Sequence, residues 1–180
     1  CFDVYDNLVY SPEFLRESTA NEDFVNPDMH VFGTYNTNAA AKIAALYNGH
    51  SRCSPCPHFV VKPEVASLVK YTINCFLATK VTFFNELYDV FGQMGMTDQY
   101  DDFTEILSND PRMGGSHMQV PGPDGRRGYG GACFAKDTSA FLQFGGEETL
   151  SLLDSATRIN AYYRLQYDDL DEREKEQNVN

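Results

Sequence analysis

The sequence predicts a mixed, mainly α fold in two parts, a small α/β segment over residues 1–62 and an all-α domain with one long helix over residues 63–180. Three observations predict it. Short apolar runs flank an alanine-rich stretch in the order strand, helix, strand, which makes a parallel unit. From Pro63 to Phe91 apolar residues recur at helical spacing with no breaker before Gly92. The chain has 180 residues, 42% hydrophobic and 22% charged, which is enough to bury a core and excludes wholesale disorder.

Taken in order, Asn7 to Pro12 and His30 to Thr34 are apolar runs bounded by turn formers and read as buried strands. Glu13 to Glu17 between them allows a single helical turn at most. Asn38 to Tyr47 has high helix propensity and meets a C-terminal stop at Asn48-Gly49. His58 to Lys62 is a further strand. Pro63 opens the long helix at its first turn, and about 29 residues at 1.5 Å each give roughly 40 Å. Such length and so wide an apolar stripe suit a central core helix or the spine of a dimer.

Thr97 or Asp98 caps a second helix that runs to about Leu107 and stops at Asn109-Asp-Pro111. The loop from Gly114 to Gly131 holds seven of the chain's 13 glycines, and loops of this length in compact domains carry function or are disordered. Helices are expected over Asp137 to Phe144 and from Glu147 to about Tyr167. The charged run from Asp168 to Glu176 reads as a solvated, fraying helix end.

Fourteen basic against 26 acidic residues leave a net charge of −12, which repels phosphate backbones and anionic membranes, so no nucleic acid and no membrane is expected as a partner. No apolar window reaches the roughly 18 residues of a membrane span. Five cysteines at 1, 53, 56, 75 and 133 form no disulfide framework and point to a reducing, cytoplasmic setting. The chain opens on Cys1 rather than Met and is expected to be a piece of something longer.

Four places carry chemistry. In Gly128-Tyr-Gly-Gly-Ala-Cys-Phe-Ala-Lys-Asp137 a cysteine follows a glycine-rich turn, with Lys136 and Asp137 near. Backbone amides and an ammonium favour a thiolate, so Cys133 is a candidate nucleophile, the alternative being a buried structural cysteine. Lys70 and Asn74 share a face of the long helix and suit an oxyanion, or else form a surface polar strip. Glu13 and Glu17 share a face if residues 12–17 make a helical turn, a weak signal for paired carboxylates. His50, Cys53, Cys56 and His58 are four potential zinc ligands in nine residues and Cys53 with Cys56 a potential redox pair, but the single residue between Cys56 and His58 is poor spacing for a structural site, an ordinary loop is favoured over both, and no metal is assigned. Neither a G-x-G-x-x-G turn nor a P-loop occurs.

Four ordered motifs resemble the UDP-glucose/GDP-mannose dehydrogenase family: Ser11-Pro-Glu-Phe-Leu-Arg-Glu17; Lys70-x-x-x-Asn74 with Leu77-Ala-x-Lys80-Val-x-Phe-x-Asn-Glu86; Asp110-Pro-Arg-Met-Gly114; and Gly128-Tyr-Gly-Gly-x-Cys-Phe-x-Lys-Asp137. The resemblance runs from about Leu8 to about Asn160. It implies that residues 1–62 are the tail of a Rossmann-type NAD-binding domain and residues 63–180 the central dimerisation domain. It further implies oxidation of the C6 alcohol of a nucleotide sugar to a carboxylate in two NAD-dependent steps, through a thiohemiacetal and a thioester on Cys133. Glu13, Glu17 and Asp137 would handle water and the C6 hydroxyl, and Lys70 and Asn74 the oxyanion. Phe14, Leu15 and the backbone of Gly128, Tyr129, Gly130 and Gly131 would contact the sugar nucleotide, Arg112 would reach a homodimer partner's sugar, and Lys136 with Glu17 would face the cofactor. The family's glycine-rich dinucleotide turn and its C-terminal domain have no counterpart in the sequence, Ala135 replaces a frequent proline, and Ser18 a common glycine. The competing expectation is a non-catalytic dimerisation module.

Overall fold

A computed structural model describes residue 2 and residues 4–167, so the charged run from 168 onward lies outside the described residues. The chain divides into two compact units, Cys1–Thr72 and Ile73–Asn180.

In the first unit β1 (His30–Gly33) and β2 (His58–Val61) pair in parallel, with His30 opposite His58 and Gly33 opposite Val61. Helix α2 (Thr37–His50) links them, giving the expected parallel unit. Val31, Phe32, Ala39, Ala40 and Ala66 form its buried core. Gly33 is required where it stands: a Cβ there would lie 2.8 Å from Ala66 Cβ and 2.9 Å from Pro63 Cα, so only glycine lets the start of the next helix close over β1.

Three sequence expectations for this unit are corrected. Residues 7–12 are not a strand; only Tyr10 bridges Gly33, in antiparallel sense, and Pro12 has no N–H to extend a ladder. The nearby carbonyl of Leu8 accepts instead from Thr34 Oγ1 at 2.8 Å. A short helix, α1 (Ala20–Val25), follows a 3-10 turn at Glu17–Thr19. Helix α2 begins at an Asn36 cap whose side chain accepts from the Asn38 and Ala39 amides, and it runs through Asn48-Gly49 to His50.

Helix α3 (Pro63–Gln93) matches the predicted span to within two residues and enters the second unit. There it is joined by α4 (Tyr100–Ser108), α5 (Ala132–Gly145) and α6 (Ser151–Arg164). A 3-10 turn at Thr97–Gln99 precedes α4, and neither Thr97 nor Asp98 caps it; the Gln99 amide donates to the Met96 carbonyl instead. The core is Phe84, Tyr100, Met118 and Val120, packed by Leu87, Tyr88, Phe91 and Phe103. The Tyr100 hydroxyl lies 2.9 Å from the Phe84 carbonyl and 3.1 Å from that of Met118, so burying the ring leaves no polar atom unpaired. Met118 and Val120 anchor the glycine-rich loop, which is thereby part of the core. Lys80 holds the turn before it, donating to the carbonyls of Met113 and Gly114 at 2.8 and 3.0 Å. Among the described residues no helix is long and apolar enough to cross a membrane.

Candidate active site

Helix α5 begins five residues earlier than its predicted start at Asp137. Gly131, at φ 77°, turns the loop directly into the helix, a conformation that a side chain would oppose. Cys133 therefore sits in the first helical turn, where backbone N–H groups have no intrahelical acceptor. It is exposed, which removes the buried structural reading. One turn on, Asp137 is 2% exposed and both of its carboxylate oxygens are engaged: Asn74 Nδ2 of α3 donates to Oδ2 at 2.5 Å, and Lys136 Nζ donates to Oδ1 at 2.6 Å. A carboxylate held this way keeps one orientation. Cys75, beside Asn74, is the opposite kind of cysteine, since burial and then the neighbouring Asp137 charge push its thiol up to about 11.

The glycine turn before Cys133 is fixed from both sides by amide side chains. Gly128 N donates to Asn85 Oδ1 at 3.0 Å, Tyr129 N donates to Asn160 Oδ1 at 2.6 Å, and Asn160 Nδ2 returns a bond to the Tyr129 carbonyl at 3.0 Å. Gly128 has φ 75°, and a Cβ there would stand 2.5 Å from Asn160 Oδ1. Next to it Arg127 donates to Asp89 Oδ1 and to the Asn85 carbonyl, both at 2.6 Å, and lies over the Tyr163 ring at 4.2 Å. Tyr163 OH donates to the second Asp89 oxygen at 2.6 Å. Burial pushes the Asp89 carboxyl up, but the hydrogen bonds from Arg127 and Tyr163 outweigh it and hold the group below the usual carboxylate range. Asn85, Asp89, Arg127, Asn160 and Tyr163 were absent from the sequence-derived site. Asn85 and Asp89 do share a helical face, a signal available in the sequence.

In the first unit the structure joins Glu13, Phe14, Leu15 and Lys70. Lys70 Nζ donates to Glu13 Oε1 at 2.9 Å and lies 5.9 Å from the centre of the Phe14 ring, while the Leu15 amide donates to Glu13 Oε2 at 2.8 Å. The expectation that Glu13 and Glu17 share a helical face fails. Residues 11–16 are not helical because the Leu15 and Arg16 amides bond the side chains of Glu13 and Asp23, and the 3-10 turn starts only at Glu17. Arg112 is exposed and pairs with Asp110. Of the four possible zinc ligands, Cys56 and His58 converge, and they do so with His30 rather than with His50 and Cys53.

The sequence and fold of this chain are similar to those of known proteins. The family models described as UDP-glucose/GDP-mannose dehydrogenase family, NAD binding domain and central domain match residues 2–50 and 64–162. A UDP-glucose 6-dehydrogenase, YwqF, of Bacillus subtilis is 32% identical over 156 residues, 86% of this chain and 33% of the relative. That of Rickettsia conorii is 38% identical over 135 residues, 74% of this chain and 29% of the relative. The chain thus spans about a third of the length of these curated relatives. The structure of a UDP-glucose dehydrogenase from Pyrobaculum islandicum superposes with a TM-score of 0.72 at 36% identity, covering 86% of this chain and 34% of that one. With its central-domain model matched over residues 64–162, more than half of the sequence, and its NAD-binding model over residues 2–50, the chain belongs to the UDP-glucose/GDP-mannose dehydrogenase family.

Proposed function

We propose that this chain carries the reacting side chains of a nucleotide-sugar 6-dehydrogenase, that UDP-glucose is its substrate, and that Cys133 is the nucleophile. The observation that carries this reading is an exposed cysteine on the first turn of α5, one turn from a carboxylate whose orientation is fixed by Asn74 and Lys136. NAD supplies the hydride acceptor at each oxidation. Residues 2–50 match only part of its domain, and with no G-x-G-x-x-G turn in the sequence they do not provide the phosphate cradle.

The chemistry requires a nucleophile for a simple reason. After the first oxidation C6 is an aldehyde, and it cannot yield a second hydride until an addition makes it tetrahedral. The Cys133 thiolate forms the C–S bond and the carbonyl electron pair moves onto oxygen. Lys70 and the second N–H of Asn74, whose first is given to Asp137, donate to that oxyanion. When the C6 hydrogen has left as hydride and the hydroxyl proton has gone to a base, the adduct is a thioester. Water then adds, the C–S bond breaks, the thiol is regenerated and the carboxylate leaves. Glu13, Glu17 and Asp137 hold or deprotonate the C6 hydroxyl and the water. Phe14, Leu15 and the Gly128–Gly131 backbone line the sugar nucleotide, and Lys136 with Glu17 faces the cofactor.

The test uses a chimera in which this chain replaces the matching third of the Bacillus subtilis relative. Folded chimera with UDP-glucose and NAD produces NADH, and Cys133→Ala lowers kcat by at least roughly a thousandfold. A folded chimera whose turnover survives that substitution contradicts the nucleophile assignment, and a folded chimera with no turnover leaves the non-catalytic module. The 180-residue chain alone produces little or no NADH, because nothing then holds the hydride donor and acceptor together.

The same reading includes a homodimer through α3, with Arg112 directed to the partner's sugar. On α3, Phe76, Phe83 and Val90 recur every seven residues and remain 66%, 51% and 45% exposed. A stripe of this kind on one helix face suits a second copy of the same helix.

A further inference from the structure

We propose that His30, Cys56 and His58 form a three-ligand zinc site at the amino end of the β1–β2 pair, separate from the Cys133 chemistry. The strand register creates it. His30 and His58 open their strands and are direct partners in a parallel ladder, so both side chains leave the same face of the sheet. Their ring centres are 5.1 Å apart. Pro57, between the other two ligands, accepts the His30 amide at 2.9 Å, which draws Cys56 alongside the first histidine. Cys56 Sγ lies 3.4 Å from His30 Nδ1, and one ligand atom from each of the three residues falls within 4.8 Å of the others.

Zinc geometry fits the sulfur-to-nitrogen separation. With Zn–S of about 2.3 Å and Zn–N of about 2.05 Å at a tetrahedral angle, sulfur and nitrogen stand about 3.6 Å apart. The observed separation is within 0.2 Å of that, so the pair needs little movement to take an ion. Two imidazoles and a thiolate are borderline-soft ligands that suit zinc over calcium or magnesium. All three residues are half-buried, which gives an ion access while limiting competing water. Tyr47 of α2 packs against the His30 ring at a centroid distance of 4.0 Å with the planes tilted by 37°, which restricts where the imidazole can turn. The aromatic contact alone explains why His30 sits beside Tyr47. It does not explain a thiol at His30 Nδ1 with a second imidazole beside it. Cys53 is engaged elsewhere, its Sγ donating to the Phe24 carbonyl at 3.1 Å, and the fourth coordination position falls to water. Bound there, zinc ties the segment before β2 to β1.

The test is metal titration of the 180-residue chain. Cobalt(II), the spectroscopic substitute, gives tetrahedral ligand-field bands and a thiolate-to-cobalt charge-transfer band at one equivalent. Cys56→Ser abolishes the charge-transfer band, and His30→Gln and His58→Gln each weaken zinc binding in a chelator competition by more than about 100-fold, since loss of even an outer partner costs 10–100-fold. Cys53→Ser and His50→Gln leave both unchanged. Because a variant can lose its fold, a readout on the unaltered protein accompanies these: stoichiometric zinc slows alkylation of Cys56 at least tenfold, as measured by peptide mass spectrometry. Cobalt bound without a thiolate band, zinc that leaves Cys56 alkylation unchanged, or binding lost on replacing Cys53 but kept on replacing Cys56 would each overturn the assignment.

Discussion

Cys133 and Cys75 present the same thiol in opposite surroundings. The first is exposed at a helix start; the second is buried, with its thiol pushed up to about 11 by desolvation and the Asp137 charge. Alkylation requires both access and the thiolate, so brief iodoacetamide treatment labels Cys133 well before Cys75. Peptide mass spectrometry reads the order, and labelling of Cys75 first would contradict the assignment. Cys133 is a candidate from the sequence because glycines before a cysteine announce close backbone amides. Its exact setting was not legible there: Gly131 at positive φ starts α5 at Ala132, and sequence patterning gives no signal for a helix beginning inside a glycine-rich run. His30 was missed for a different reason. Its partners lie 26 and 28 residues away, and only the register of β1 against β2 makes them neighbours.

At the scale of elements, α3 was readable because unbroken 3.6-residue periodicity over 31 residues leaves no other structure for the apolar positions. The run at residues 7–12 was misread, since strand-like composition does not provide a ladder when proline removes a donor and a side chain takes a carbonyl. What orders the glycine-rich loop was also invisible, because Arg127, Asp89 and Tyr163 are brought together from the loop, α3 and α6. That cluster has a pH signature. The Asp89 carboxyl is held below its ordinary value in the folded state, so its contribution is present above the unfolded value near 3.8 and lost as pH falls through the lower folded value. Melting temperature therefore declines as pH falls below about 4. Asp89→Asn shows a shallower decline over that window while starting from a lower melting temperature at pH 7. An unchanged acid slope in the variant would count against the cluster.

At the scale of the whole molecule, the family was legible from four ordered motifs, whereas the proposed homodimer rests on the exposed α3 stripe. Sedimentation at micromolar concentration is expected to give a dimer, and Phe83→Asp a monomer with unchanged helix content. A monomeric parent chain would contradict the α3 interface. The chain's third-length coverage of its relatives makes the chimera the setting in which the chemistry is read. The most direct measurement is rapid acid quenching of that chimera during turnover of UDP-glucose and NAD, followed by peptide mass spectrometry. A UDP-glucuronyl mass on the peptide holding Cys133 is the predicted result; turnover with that adduct on another residue, or continuing undiminished in Cys133→Ala, would contradict it.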